Sequence, residues 1–146
     1  MITAPFEYHA PTTMREALTL LRQHVGDAKV LAGGHSLIPV MKLRLAQPSH
    51  LIDLGRISDL RYVRKQGSGL AIGPMTTYHT LERSAMVQRY LPTLAEAAGL
   101  VGDVQVRNKG TLGGCIAHAD PAADLPAVVV ALHARIHTAG GRGTRA

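Results

Sequence analysis

Apolar residues at Met14, Ala17, Leu18, Leu21 and Val25 recur at helical spacing, and Thr13-Met14-Arg15-Glu16 in front of them is a capping-box pattern. Together they predict an amphipathic helix that Gly26 ends. Lys29-Val30-Leu31-Ala32 then reads as a short buried strand that runs straight into Gly33-Gly34. After the apolar segment Ser36 to Leu45, Pro48 interrupts, and Leu51-Ile52-Asp53-Leu54 reads as a second strand stopped by Gly55.

The pattern changes near Gly55 to Ser58, which marks a subdomain boundary. Leu60 to Arg64 and Leu70 to Ile72 flank Lys65-Gln66-Gly67-Ser68-Gly69, predicting a hairpin with a longer glycine-bearing loop. A helical region begins at Thr77 to Glu82, and Pro92 opens another helix with Leu91, Leu94, Ala95, Ala98 and Val101 on its apolar face, closed by Gly102. Asp103 to Pro121 has weak periodicity and three glycines, so it reads as a functional loop. Asp120 and Pro121 then predict a helix through Leu132, Ala134 to Thr138 reads as a strand, and Ala139-Gly140-Gly141 as a hairpin turn. The terminal strand has no evident partner, and from this we expect the chain to be shorter than the unit it came from.

Composition narrows what such a chain can do. Its 146 residues are 46% hydrophobic, enough for one domain with a core of its own. No apolar run reaches the roughly 20 residues of a membrane span, and the first residues lack a secretory pattern, so a cytoplasmic setting is expected. One cysteine, Cys115, excludes an internal disulfide and an iron–sulfur cluster held by cysteines of this chain alone. The net charge of +6 suits an anionic partner. Scattered basic residues, no Trp and one Phe argue against nucleic acid.

Two glycine segments carry the candidate chemistry: Ala32-Gly33-Gly34-His35-Ser36, and Gly110-Thr111-Leu112-Gly113-Gly114. Paired glycines let a backbone approach a ligand without Cβ clashes, and successive N–H groups in such turns suit phosphate oxygens. Ser36 and Thr111 add hydroxyls, so the pair of segments reads as a pyrophosphate site. Neither segment is G-x-G-x-x-G or a P-loop.

"AGGHSLIPVMKLRLAQPSHLIDL", "IGPMTT" and "GDVQVRNKGTLGGCIAHADPAADLPA" resemble the FAD-binding medium subunit of the carbon monoxide dehydrogenase and molybdenum hydroxylase family, related to the FAD domain of xanthine dehydrogenase. The resemblance covers almost the whole chain, in order. It implies an α+β, two-subdomain FAD-binding fold of the vanillyl-alcohol-oxidase (PCMH) type: residues 1–56 as the first subdomain, 57–146 as an incomplete second one, and the family's carboxyl-terminal domain absent. It implies that Ala32, Gly33, Gly34, His35 and Ser36 surround the FAD pyrophosphate, and that Thr111, Leu112, Gly113, Gly114 and Cys115 form the opposite wall. Asp124 would bond the ribityl side; from the residues alone it is only a favourable charge at a helix N-terminus. Cys115 stands where the family commonly has Asn or Ser. The implied partners are a molybdenum-cofactor large subunit and a 2Fe-2S small subunit. Electrons would leave iron–sulfur clusters on a partner, pass through FAD and reach an external acceptor. No catalytic side chain and no metal ligand is assigned to this chain.

Rival readings are weaker. Cys115, His118 and Asp120 lie too close in sequence to resemble a triad. His133 and His137 have i,i+4 spacing but no accompanying glutamate, and Ser36 lacks the hydrolase elbow. The standing alternative is a fragment or subunit-interaction module that does not hold FAD.

Overall fold

The computed structural model describes residues 2–140 and 143–145. Its first part is a three-stranded parallel sheet of β1 (Glu7–His9), β2 (Ala28–Leu31) and β3 (His50–Asp53), with β3 in the centre. Glu7 and Ala28 both pair with His50, so the three strands start level and end level. Helix α1 (Met14–Gln23) covers one face. Its start is the predicted one: Thr13 Oγ1 accepts from Glu16 N–H at 3.2 Å, while Glu16 Oε2 accepts from Thr12 N–H at 3.0 Å, one residue before the usual capping-box partner. Ala17 and Ile52 bury fully at this contact, with Met14, Leu20 and Leu21 around them.

The strand at Ala28–Leu31 is present but not buried. Being at the sheet edge, it leaves Lys29 and Val30 exposed, and Val25, expected on the helix face, is exposed beyond the helix end. Helix α2 (Leu37–Lys42) follows the first glycine pair and buries Met41. Two short 3-10 turns, Leu54–Arg56 and Ser58–Leu60, carry the chain out of the sheet, and Asp53 anchors the first by accepting from Gly55 N–H at 2.7 Å. Ile57, Leu60 and Met75 bury against the same cluster as Ile52.

Among the described residues, the second part holds two antiparallel strand pairs and six helices. Strands β4 (Val63–Gln66) and β5 (Gly69–Ile72) pair directly from Val63↔Ile72 to Gln66↔Gly69. The loop is therefore two residues rather than five: Gly67 has φ +58° and turns the chain at once, leaving Lys65 and Gln66 free to extend the strand. Helices α3 (Tyr78–Arg83), α4 (Ala85–Tyr90) and α5 (Pro92–Leu100) follow, α4 being a helix that the pattern did not disclose. Ser84 both ends α3 and caps α4, accepting from Val87 N–H.

Asp103 to Pro121 is not a loop. It forms α6 (Val104–Lys109), capped by Asp103, and α7 (Leu112–His118), capped by Thr111. Arg107 donates to the Val101 and Gly102 carbonyls and pairs with Glu82 at 3.4 Å, so tertiary contacts supply what weak periodicity lacked. Helix α8 (Asp124–Ala131) begins later than Asp120, which instead closes a turn: its carbonyl and side chain accept from the Ala123 and Ala122 N–H groups. Tyr78, Leu81, Val87, Leu94, Ala95, Ala98, Leu112, Leu125 and Val129 form the core of this part. The last strand also shifts. β6 (Thr138–Gly140) starts where one was expected to end, and it has a partner in β7 (Gly143–Arg145). Gly141, assigned to the turn, lies outside the described residues.

Candidate cofactor site

The first glycine pair leaves the carboxyl end of β2, where parallel sheets present open backbone groups to ligands. Gly34 has φ +79°, which bends the chain into α2. Ile38 N–H donates to the Gly34 carbonyl, yet among the described residues the N–H groups of Gly33, Gly34, His35, Ser36 and Leu37 have no acceptor. Five successive donors are thus left for something outside the chain. Ser36, at the head of α2, makes no capping hydrogen bond either.

The second pair is different. Gly113 N–H donates to the Pro74 carbonyl at 2.9 Å, Leu112 N–H to the Thr76 carbonyl at 3.0 Å, and Tyr78 N–H to the Gly110 carbonyl at 3.0 Å, so this segment is zipped to residues 74–78. Gly114 N–H donates to Thr111 Oγ1 at 3.2 Å and Cys115 N–H to the Thr111 carbonyl. No donor of 112–115 is left over.

The glycines themselves serve chain crossing more than ligand approach. A Cβ on Gly33 would strike the Lys109 carbonyl, one on Gly113 would strike Pro74, and one on Gly110 would strike the Tyr78 ring. A Cβ on Gly114 would come within 3.2 Å of the Ala32 Cβ. The two segments therefore touch. They enclose a cleft of about 560 Å³ lined by Ala32, Gly33, Gly34, His35 and Thr111 among the expected residues, within the usual range for small-molecule sites. Ser36, Leu112, Gly113, Gly114, Cys115 and Asp124 do not line it: most stand one layer back, and Asp124 is exposed in the first turn of α8.

Lys42, Arg61 and Lys109 also line the cleft and were not singled out from the sequence. They lie far apart along the chain, on α2, after the second 3-10 turn and at the end of α6, so no local pattern joins them. Asp53 lines it as well, and its carboxylate accepts from Tyr8 Oη at 2.6 Å. That bond, with some burial and the carboxylate's charge, holds the Tyr8 phenol above its ordinary value against the pull of Arg56. Behind Thr111, burial first, then the Cys115 thiol and the charge of Asp124, push the Tyr78 phenol well above its ordinary value. No hydrogen bond joins Cys115, His118 and Asp120 among the described residues, and His133 and His137 follow the end of α8 rather than sharing its face.

A family model described as the FAD-binding domain in molybdopterin dehydrogenase matches residues 4–146. The chain belongs to this family. The carbon monoxide dehydrogenase medium chain of Hydrogenophaga pseudoflava is 54% identical over 99% of the chain and 50% of its own length. The glyceraldehyde dehydrogenase medium chain of Sulfolobus acidocaldarius is 39% identical over 99% of the chain and 51% of its own length. Among solved structures, carbon monoxide dehydrogenase from Hydrogenophaga pseudoflava superposes with a TM-score of 0.97 at 55% identity, covering 99% of this chain and 50% of that one. Quinoline 2-oxidoreductase from Pseudomonas putida 86 does so with 0.96 at 35%, covering 99% and 50%. This member of the FAD-binding family has their α+β fold, and it spans about half the length of the curated relatives it matches. No helix among its described residues is long and apolar enough to cross a membrane.

Proposed function

We propose that this chain is the FAD-holding part of the medium subunit of a molybdenum-containing hydroxylase or dehydrogenase. Its partners are a molybdenum-cofactor large subunit and a 2Fe-2S small subunit, and electrons from the clusters leave the assembly here for an external acceptor. FAD, when bound, supplies the redox chemistry; the chain binds and orients it. The observation that supports the reading most is that Gly33, Gly34 and His35, whose N–H groups have no acceptor among the described residues, line a cleft together with three cations. A diphosphate matches that set: backbone donors take its oxygens, and Lys42, Arg61 and Lys109 balance its charge. The Thr111–Cys115 segment serves as the rigid opposite wall, with Thr111 alone reaching the cleft surface. Asp124 is assigned to the ribityl side on the family resemblance.

FAD titration with flavin fluorescence and absorbance tests this. We expect a yellow complex with one FAD per chain, and weaker binding when Lys42 or Lys109 becomes Ala. A correctly folded chain that stays colourless at high FAD overturns the reading.

A further inference from the structure

Away from the cleft, three histidines from distant positions meet on the α1 face of the sheet. His9 ends β1, His50 begins β3 and His24 caps the carboxyl end of α1. None of them lines the cleft. One ring nitrogen from each lies within 4.8 Å of those of the other two. His9 Nε2 and His50 Nδ1 are 3.1 Å apart, and Glu7 Oε2 lies 3.5 Å from His50 Nδ1 and 3.9 Å from His9 Nε2. The His24 ring stacks on His50 with centroids 3.6 Å apart.

The backbone holds this group in place. Strand register sets Glu7 beside His50, and His50 N–H donates to the Asp27 carbonyl. His24 N–H donates to Leu20, while its own carbonyl accepts from Asp27 and Ala28. Imidazoles are an uneconomical way to fill such a space: they add nitrogen atoms that need partners, where aliphatic side chains would pack without them. At metal–nitrogen bonds of about 2.0–2.1 Å, two nitrogens on a four-coordinate ion sit about 3.3 Å apart, close to the observed His9–His50 separation.

We propose that His9, His24 and His50, with the Glu7 carboxylate as fourth ligand, form a site for one divalent transition-metal ion of the zinc class. Imidazole selects such ions over magnesium or calcium. On binding, the ring that donates the His9–His50 hydrogen bond carries its proton on the far nitrogen instead, freeing both facing lone pairs. His24, half-exposed at a helix end, turns out of its stack to present a nitrogen. The proposal is independent of flavin binding.

The test is titration of the 146-residue chain with Zn²⁺ by calorimetry and with Co²⁺ by visible absorption. We expect one equivalent of tight binding, a four-coordinate Co²⁺ band, and at least tenfold weaker binding in His24→Gln and in His50→Ala. His118→Ala and His133→Ala should bind as the parent does. Circular dichroism establishes that each variant is folded, and His24→Gln, at a helix end, tests the site without disturbing the sheet. No uptake by the parent overturns the proposal, as does uptake that survives His24→Gln with His50→Ala or that follows His133.

Discussion

The two glycine segments look alike in sequence and differ in what they leave open. Among the described residues, the N–H groups of 33–37 have no acceptor, whereas those of 112–115 all donate within the chain, to Pro74, Thr76 and Thr111. Paired glycines thus have two distinct uses here: one pair starts a donor-rich bend, the other lets a helix start lie against a neighbouring strand-like segment. The first segment has a crossing of its own as well, since the Gly33 backbone passes Lys109 and Gly110 with no room for a Cβ. Binding should be sensitive to the first segment's free N–H groups, and stability to the crossing glycines of both segments.

The largest effect should come from filling the crossing points. Gly113→Ala places a methyl on Pro74 and Gly33→Ala places one on the Lys109 carbonyl; backbone atoms cannot step aside, so each should cost about 3 kcal/mol in urea unfolding. If either variant is as stable as the parent, the close crossing is not the reason for the glycine.

A second effect sharpens the stability side. Tyr78 backs the second segment, its ring against Gly110, and its phenol is held protonated by burial and by Cys115. The folded form binds that proton more tightly than the unfolded chain does, so the contribution is complete below the ordinary phenol value of 10.0 and falls as pH rises above it. The slope should approach about 1.4 kcal/mol per pH unit, because only the unfolded chain then ionises. Tyr78→Phe should lose this part of the alkaline dependence, read from denaturant midpoints between pH 9 and 12. Single replacements of Lys42 or Lys109 by Ala should act on the other side, weakening FAD about tenfold, near 1.4 kcal/mol, with unfolding midpoints little changed.

What was legible in the sequence was local. The Thr13 cap with Glu16, Pro92 at a helix start and the strand before Gly55 depend on residues within a few positions of each other. The sequence of helices α6 and α7 looks like a loop because its glycines and polar residues are explained only by Pro74, Ala32 and Glu82 in three dimensions. For the same reason both glycine segments were found, while Lys42, Arg61 and Lys109 were not: spacings of 19 and 48 residues carry no periodic signal until the fold closes them around one cleft. Asp120 and Pro121 look like a helix start, yet the side chain and carbonyl of Asp120 close a turn of their own, delaying α8 to Asp124.

The smallest expected effect is the sharpest discriminator, because it compares two hydroxyls of similar chemistry. Thr111 is buried and its Oγ1 already accepts from Gly114 N–H, so Thr111→Val should cost about 1 kcal/mol of stability as a lost cap and leave the FAD affinity of the folded fraction near that of the parent. Ser36 is exposed and caps nothing, so Ser36→Ala should change stability by less than about 0.5 kcal/mol. Any effect of Ser36→Ala then appears in FAD affinity, as a loss of a few-fold at most, since Ser36 adjoins the lining residues Gly33 to His35 without lining the cleft itself. The reverse outcome, with Thr111→Val weakening FAD and Ser36→Ala unfolding the chain, would exchange the roles of the two segments. Equal effects of both substitutions on both measurements would mean that the distribution of backbone donors does not govern the site.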